Sequence, residues 1–355
     1  AVPVPELITD TKGYAVSPEL PYGSYVVVES TTLENLKTID PFVVNVENDS
    51  REPMQWRVFD DRPFEFLLKI VKKDAQTGNT VLKAGASYKI YDVTNKKYVE
   101  QVVQYPKKEK ISVFETNEEG YLITPQEQKC STYRIEEVKA PEGFVRQGHE
   151  ESLYDGTTII SPLEQTTKGT YKENPQSSIV ITVSSNTAHQ IDPDTGAAIV
   201  EVEQKNDEQV GSLLLTKKGE QLTEVTGDSV LAKVKALVSK VRNAVSGKEE
   251  TGIYKVFKYE ETGVEGAEFE VYAKDTIYSP DGAKDEEGNP VVRYEKDDLV
   301  AKLTTDENGT AVIYNLPLGT YYLKEVVAGE NFVLNTEQKE FTLTAEDDTQ
   351  AAGFE

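Results

Sequence analysis

Hydrophobic positions in this chain fall in short β-branched or aromatic runs punctuated by turn residues. Tyr25-Val26-Val27-Val28, Tyr88-Lys89-Ile90-Tyr91, Ile179-Val180-Ile181-Thr182-Val183, Phe269-Glu270-Val271-Tyr272 and Phe341-Thr342-Leu343-Thr344 are each flanked by Gly, Pro, Asn or Asp. Such runs read as strands, and their spacing predicts an all-β chain of antiparallel β-sandwiches.

One stretch follows a different period. Val230, Leu231, Val234, Leu237, Val238, Val241, Ala244 and Val245 stand at helical spacing behind Gly227-Asp228-Ser229, which supplies an N-cap, and Lys233, Lys235, Lys240 and Arg242 take the remaining face. The pattern predicts an amphipathic helix over 230–245, inserted in the last module as a lid on a sandwich or as a surface for a partner.

A turn, a short aromatic strand and a glutamate recur three times in the same order. The copies run from Gly23-Ser24-Tyr25 to Glu29, from Ser131-Thr132-Tyr133 to Glu137 and from Gly319-Thr320-Tyr321 to Glu325. A second turn precedes each, at Lys12-Gly13-Tyr14, Glu119-Gly120-Tyr121 and Asn308-Gly309-Thr310. Repetition on this scale means serial modules. Thr-Gly turns at Gly78 and Gly263, each followed by a Gly-Ala strand start at Gly85-Ala86 or Gly266-Ala267, place module starts near Pro63 and Gln209. The expected organisation is a partial module over 1–62, whose beginning lies outside this sequence, a complete module over 63–208, and a module over 209–355 whose last strand is cut short.

Composition narrows the chemistry. Against 62 Asp and Glu stand 38 Lys and Arg, a net charge of −24, so a phosphate backbone or an anionic membrane surface is repelled and no nucleic-acid partner is expected. No run of about 18 apolar residues is present to insert in a membrane. The lone Cys130 excludes an intramolecular disulfide framework, and its slot corresponds to Tyr22 and Leu318 of the other copies, as a plain buried or turn side chain would. With His149 and His189 as the only histidines, and without His-Glu-x-x-His, Cys-x-x-Cys, Gly-x-Ser-x-Gly or a phosphate loop, no metal site, no cofactor and no turnover active site are expected. Asp281, Asp285, Glu286, Glu287 and Asn289 crowd the loop 279–298 but lack EF-hand spacing, which favours a solvated hairpin over a calcium site.

The order of a lysine strand, a Thr-Gly turn, Gly-Ala-x-Phe/Tyr-x-Val/Ile-Tyr, a Gly turn and Tyr133-Arg134-Ile135-Glu136-Glu137-Val138-Lys139-Ala140-Pro141-Glu142-Gly143-Phe144 resembles the Cna B-type domains of Gram-positive surface adhesins and pilins. These are also called SpaA-like or prealbumin-like domains. The third copy departs from the pattern, reading Glu325-Val326-Val327-Ala328-Gly329-Glu330-Asn331-Phe332. The resemblance implies tandem Ig-like or prealbumin-like sandwiches and an intramolecular isopeptide bond. In such domains a lysine on the first strand joins an Asn or Asp on the last, promoted by a buried Glu.

Carried onto this sequence, the family pattern makes Lys72 the amine, Asn206 the electrophile and Glu137 the acid. Period-two alternation agrees with that choice: Leu68, Ile70 and Lys72 share one face of a strand, as do Val200, Val202, Gln204 and Asn206. Burial disfavours the charged form of an amine and so favours its nucleophilic form. A carboxylic acid beside it would donate to the Asn206 carbonyl and hand a proton to departing ammonia. The competing reading is an ordinary Lys72–Glu137 salt bridge with Asn206 in a turn, which is costly when buried.

In the third module Leu213, Leu215 and Lys217 repeat the alternation and Glu325 replaces Glu137, with Lys258 as a rival lysine and no acceptor in the sequence. In the first, Glu29 is followed after 31 residues by Asp60, at the end of the expected closing strand Trp56, Val58, Asp60. The same interval from Glu325 ends one residue past Glu355, where an Asn or Asp is expected. These readings imply a structural stalk of an adhesin or pilus-like protein on the surface or cell wall of a Gram-positive bacterium. The alternative is an adhesin module that binds a host protein or glycan through inserts at 145–178, 230–245 or 279–298. Tyr105-Pro106-Lys107 looks like the core of the motif by which sortases link pilin subunits, but no Leu-Pro-x-Thr-Gly signal accompanies it.

Overall fold

The computed structural model describes residues 6–47, 57–146, 151–154, 162, 170–173, 178–226, 256–345, 347–348 and 352–354. Among these residues the regular structure is strand, with no α-helix, and no helix is long and apolar enough to cross a membrane. The helix read over 230–245 lies outside the described residues, between the paired strands Lys218–Thr226 and Val256–Gly263.

The middle of the chain forms two sheets around one core. One sheet runs in the order Phe114–Glu115, Ser87–Asp92, Ser131–Lys139, Ile179–Val183; the other runs Tyr121–Ile123, Glu65–Asp74, Ala198–Asn206, Gln190–Ile191. Alternation sends Phe66, Leu68 and Ile70 inward from one sheet to meet Tyr88, Ile90, Tyr133 and Ile135 from the other. One pair departs from the antiparallel reading. The opening strand Glu65–Asp74 and the closing strand Ala198–Asn206 are parallel neighbours, in register from Ala198↔Phe66 to Asn206↔Asp74. Only a long crossover can join parallel neighbours, and here it is the rest of the module.

The C-terminal part repeats the plan. Leu299–Thr304, Glu268–Ala273, Gly319–Val327 and Lys339–Leu343 form one sheet, and Thr310–Pro317, Val210–Thr216 and Ala352–Phe354 form the other. Ala352–Phe354 lies parallel to the opening strand, ending at Leu213↔Phe354. Leu213, Phe269, Val271, Leu316, Tyr321 and Phe341 are among the residues that fill this core. At the N-terminus Gly23–Val27 pairs with Phe42–Val46 and Leu36–Lys37 with Arg62–Pro63. Of the expected closing strand there, Trp56 lies outside the described residues, while Val58 and Asp60 are exposed and belong to no strand; among the described residues none pairs with 57–61 in a ladder.

The repeated sequence elements have repeated jobs. Tyr25, Tyr133 and Tyr321 each donate their hydroxyl to the carbonyl four residues earlier, at Pro21 (2.7 Å), Lys129 (2.6 Å) and Pro317 (2.5 Å). Each bond pins the start of the glutamate-bearing strand to its preceding turn. Upstream, Oδ1 of Asp10, Asn117 and Asp306 accepts two backbone N–H bonds across a tight turn. The glycines of these turns, Gly13, Gly120 and Gly309, have φ of 82°, 77° and 74°, where a side chain is strained.

The two cores are joined by a polar seam. Arg293 holds Glu208 with both terminal guanidinium nitrogens, Nη2 at 2.6 Å from Oε1. Asp281 accepts from Thr77 Oγ1 (3.2 Å) and Asn79 Nδ2 (3.1 Å), and its carbonyl accepts from Leu82 N–H (2.7 Å). Asp348 accepts from Ala140 N–H at 2.8 Å. Asp281 is fully buried, while residues 284–292 of the same loop are exposed.

Candidate functional site

Three strands bring a lysine, a glutamate and two amides together inside the middle sandwich. Lys72, next to the end of the opening strand, points inward because it shares a face with Phe66, Leu68 and Ile70. Glu137 reaches in from the facing sheet, on the side of its strand that also carries Tyr133 and Ile135. The closing strand presents Gln204 and Asn206 on its inward face, with Gln204 directly opposite Lys72 and Asn206 two residues on.

Their contacts are specific. Lys72 Nζ donates to Glu137 Oε1 at 2.6 Å, and both side chains have no exposed surface. Asn206 Nδ2 donates to the other carboxyl oxygen, Glu137 Oε2, at 2.7 Å, and to the Val145 carbonyl at 2.7 Å. One buried carboxyl thus holds the amine on one oxygen and the amide nitrogen on the other. Gln204 completes the ring: its Oε1 accepts from Lys72 Nζ and from Tyr88 Oη (3.0 Å), and its Nε2 donates to Asn206 Oδ1 at 2.8 Å. Burial, followed by the nearby charge of Glu137, lifts the Tyr88 phenol well above its ordinary range, so it remains a donor.

Lys72, Glu137 and Asn206, singled out from the sequence, are therefore neighbours. Gln204 and Tyr88 received no role from the sequence, although Gln204 was legible as a member of the inward face and Tyr88 as a strand residue. Glu137 faces the nitrogen of the Asn206 amide, not its carbonyl oxygen as the sequence reading expected. The donor on that oxygen is Gln204.

In the C-terminal part Lys217 Nζ lies 3.1 and 3.2 Å from the two oxygens of Glu325, with side-chain exposures of 20% and 2%. Glu325 Oε2 also accepts from Asn335 N–H at 2.8 Å, ten residues on, just as Glu29 Oε2 accepts from Ile39 N–H at 2.8 Å. Lys217 stands four residues past Leu213, the last opening-strand residue paired with Ala352–Phe354. Lys258 is exposed and pairs with Glu260 at 2.5 Å. Asp60 is exposed, and no hydrogen bond or ion pair joins it to Glu29 among the described residues.

A model of the SpaA prealbumin-like fold domain matches residues 67–153 and 249–354, together more than half of the chain. The chain belongs to this SpaA-like family. A search of curated proteins gives no match to the sequence. Among solved structures, the Bacillus anthracis TIE protein is 17% identical over 98% of this chain and 44% of its own, with a TM-score of 0.37. A streptococcal ancillary pilin is 17% identical over 94% of this chain and 76% of its own, with a TM-score of 0.23. BcpA, the major pilin subunit of Bacillus cereus, is 14% identical over 82% of this chain and 98% of its own, with a TM-score of 0.24. This SpaA-like chain thus spans less than half of the Bacillus anthracis protein.

Other candidates in the SpaA-like chain have local explanations. Cys130 is half-buried and directs its thiol to the Phe64 carbonyl at 3.6 Å; burial pushes that thiol's pKa up, away from nucleophilic chemistry. In the acidic loop, Asp285 Oδ1 accepts from Glu287 and Asn289 N–H at 2.9 and 2.8 Å, which makes it a turn residue. Lys107 stands on the exposed segment between the paired strands Gln101–Val103 and Glu109–Ile111.

Proposed function

We propose that this chain is a structural stretch of a cell-surface stalk, of adhesin or pilus type, from a Gram-positive bacterium, and that its middle module is closed by a self-formed amide between Lys72 and Asn206. Family membership supports the structural role. The observation that carries the covalent reading is the single buried carboxyl of Glu137, with Lys72 Nζ on one oxygen and Asn206 Nδ2 on the other.

The chemistry follows from that bridge. Proton transfer from Lys72 to Glu137 along their 2.6 Å contact leaves a neutral, nucleophilic amine and a carboxylic acid. Nζ attacks Asn206 Cγ and the carbonyl pair moves onto Oδ1. Glu137 then gives a proton to Nδ2 and takes a second one from Nζ, so it ends as the neutral acid and the charges of the ion pair are gone. The Cγ–Nδ2 bond breaks, ammonia leaves and a secondary amide remains. This is one turnover per molecule, with no cofactor.

The bond would join neighbouring parallel strands that are the first and last of the module. Tension entering at Glu65 and leaving beyond Asn206 loads this pair in shear, and the amide carries it past everything folded between them. By the cross-link arithmetic known for disulfides, closing a loop of this size contributes about 5 kcal/mol. With one cysteine, the amide would do the work that disulfides do in other extracellular modules. Intact-mass spectrometry tests the proposal. The purified chain is expected to be lighter than its calculated mass by one ammonia, and Glu137→Ala to keep the full mass. A full mass for the unmodified sequence would overturn the covalent reading.

A further inference from the structure

Resting on that covalent reading, we infer that Gln204 is a catalytic group of the same reaction, the donor that stabilises the oxyanion formed on Asn206 Oδ1. The argument begins with register. Parallel pairing sets Gln204, and not Asn206, directly across from Lys72, so the amine and the acceptor amide are diagonal neighbours, and the Gln204 side chain is hydrogen-bonded to both. Gln204 is 1% exposed, and its contacts account for its whole hydrogen-bonding capacity. Oε1 accepts from Lys72 Nζ and Tyr88 Oη, while Nε2 donates to Asn206 Oδ1 and to the Lys205 carbonyl at 3.2 Å. Two donors on Oε1 fix which end of the amide faces Asn206: it is the N–H end.

That orientation meets what the reaction needs. As Nζ bonds to Cγ, negative charge builds on Oδ1, and the Gln204 N–H already lies 2.8 Å from it. Glu137 sits on the leaving nitrogen and is not free to serve the oxygen at the same moment. The labour is therefore divided, with Glu137 moving protons and Gln204 holding charge, and Tyr88 keeps Gln204 turned the right way. Gln204 gains and loses no atoms in the step, so the balance remains amine plus primary amide to secondary amide plus ammonia.

The test follows ammonia loss by intact mass at intervals after rapid purification. The unmodified chain is expected to be fully linked, and Gln204→Leu, which fills the space without a donor, to convert on the order of 10²- to 10³-fold more slowly. Its circular dichroism should match that of unlinked Asn206→Ala, which separates slow chemistry from lost fold. If the unmodified chain keeps its ammonia, the covalent reading itself fails. If that chain is linked and Gln204→Leu links equally fast, the donor role fails alone. If Asn206→Ala still loses ammonia and fragmentation places the cross-link at residue 204, Gln204 is the electrophile and the assignment is overturned. Should Gln204→Leu not fold, Gln204→Glu gives a second readout. It can donate only when protonated, so its linking rate should rise as the pH falls, and a pH profile matching the unmodified chain would overturn the role.

Discussion

At Lys72 a charged side chain sits in a place where chain chemistry alone would put leucine. A buried ammonium is tolerated only when its valences are filled, and Glu137 Oε1 and Gln204 Oε1 meet it here. Removing one member should therefore do more than remove a bond. With the proposed cross-link contributing about 5 kcal/mol, Lys72→Ala and Asn206→Ala are expected to unfold the middle sandwich about 10–20 °C lower, which calorimetry on the unmodified and substituted chains would show. At this scale the sequence was informative where period two was enough: Leu68 and Ile70 fix the face of Lys72, and Val200 and Val202 that of Asn206, whereas Glu137 came from the family resemblance alone. It said nothing of the Gln204 contact, because inward glutamines are equally at home as passive partners. Only the register to Lys72 singles this one out.

Among the elements, the tight turns and tyrosine hydroxyls give the module repeat its physical meaning. The three tyrosines bond backwards by four residues, and three Asp or Asn side chains close three glycine turns. Gly120 is the most constrained of these by a middle-module neighbour, since a Cβ there would lie 2.0 Å from the Val81 carbonyl oxygen as well as at a φ of +77°. Gly120→Ala should cost about 1–3 kcal/mol. Gly78→Ala, with a φ of +75° but open space around it, should cost about 1–2 kcal/mol, the backbone strain alone. Denaturant melts of the two variants measure the difference. The repeat was readable because each turn and strand is built from residues within a few positions of one another. Parallel pairing of the opening and closing strands was not, since hydrophobic alternation is the same in either direction.

Over the whole molecule the seam between the two cores adds a titrating group. Asp74, at the end of the opening strand, is raised from 3.8 to about 7, first by burial and then by the charge of Glu208, which Arg293 also holds. Its Oδ2 is buried and meets no donor among the described residues. Because the folded value lies above the unfolded one, folding takes up a proton here. The resulting stability is complete below about 3.8 and is lost as the pH rises through about 7. Asp74→Asn mimics the protonated group, so between pH 5 and 8 its thermal midpoint should fall less steeply than that of the unmodified chain and lie higher above pH 7. Equal slopes in the two chains would show that Asp74 is not the group responsible.

By itself the sequence determined strands, turns, the recurring turn–tyrosine–glutamate pattern and the inward faces of Lys72 and Asn206, because those follow from spacing along a few consecutive residues. Tertiary structure decided that the opening and closing strands run parallel, that Gln204 stands across from Lys72, and that Arg293 and Asp281 hold the two cores together. Those partners are separated by 85 residues or more, and their meeting depends on how whole sheets register and pack, a free energy spread over the entire core and recorded in no local pattern.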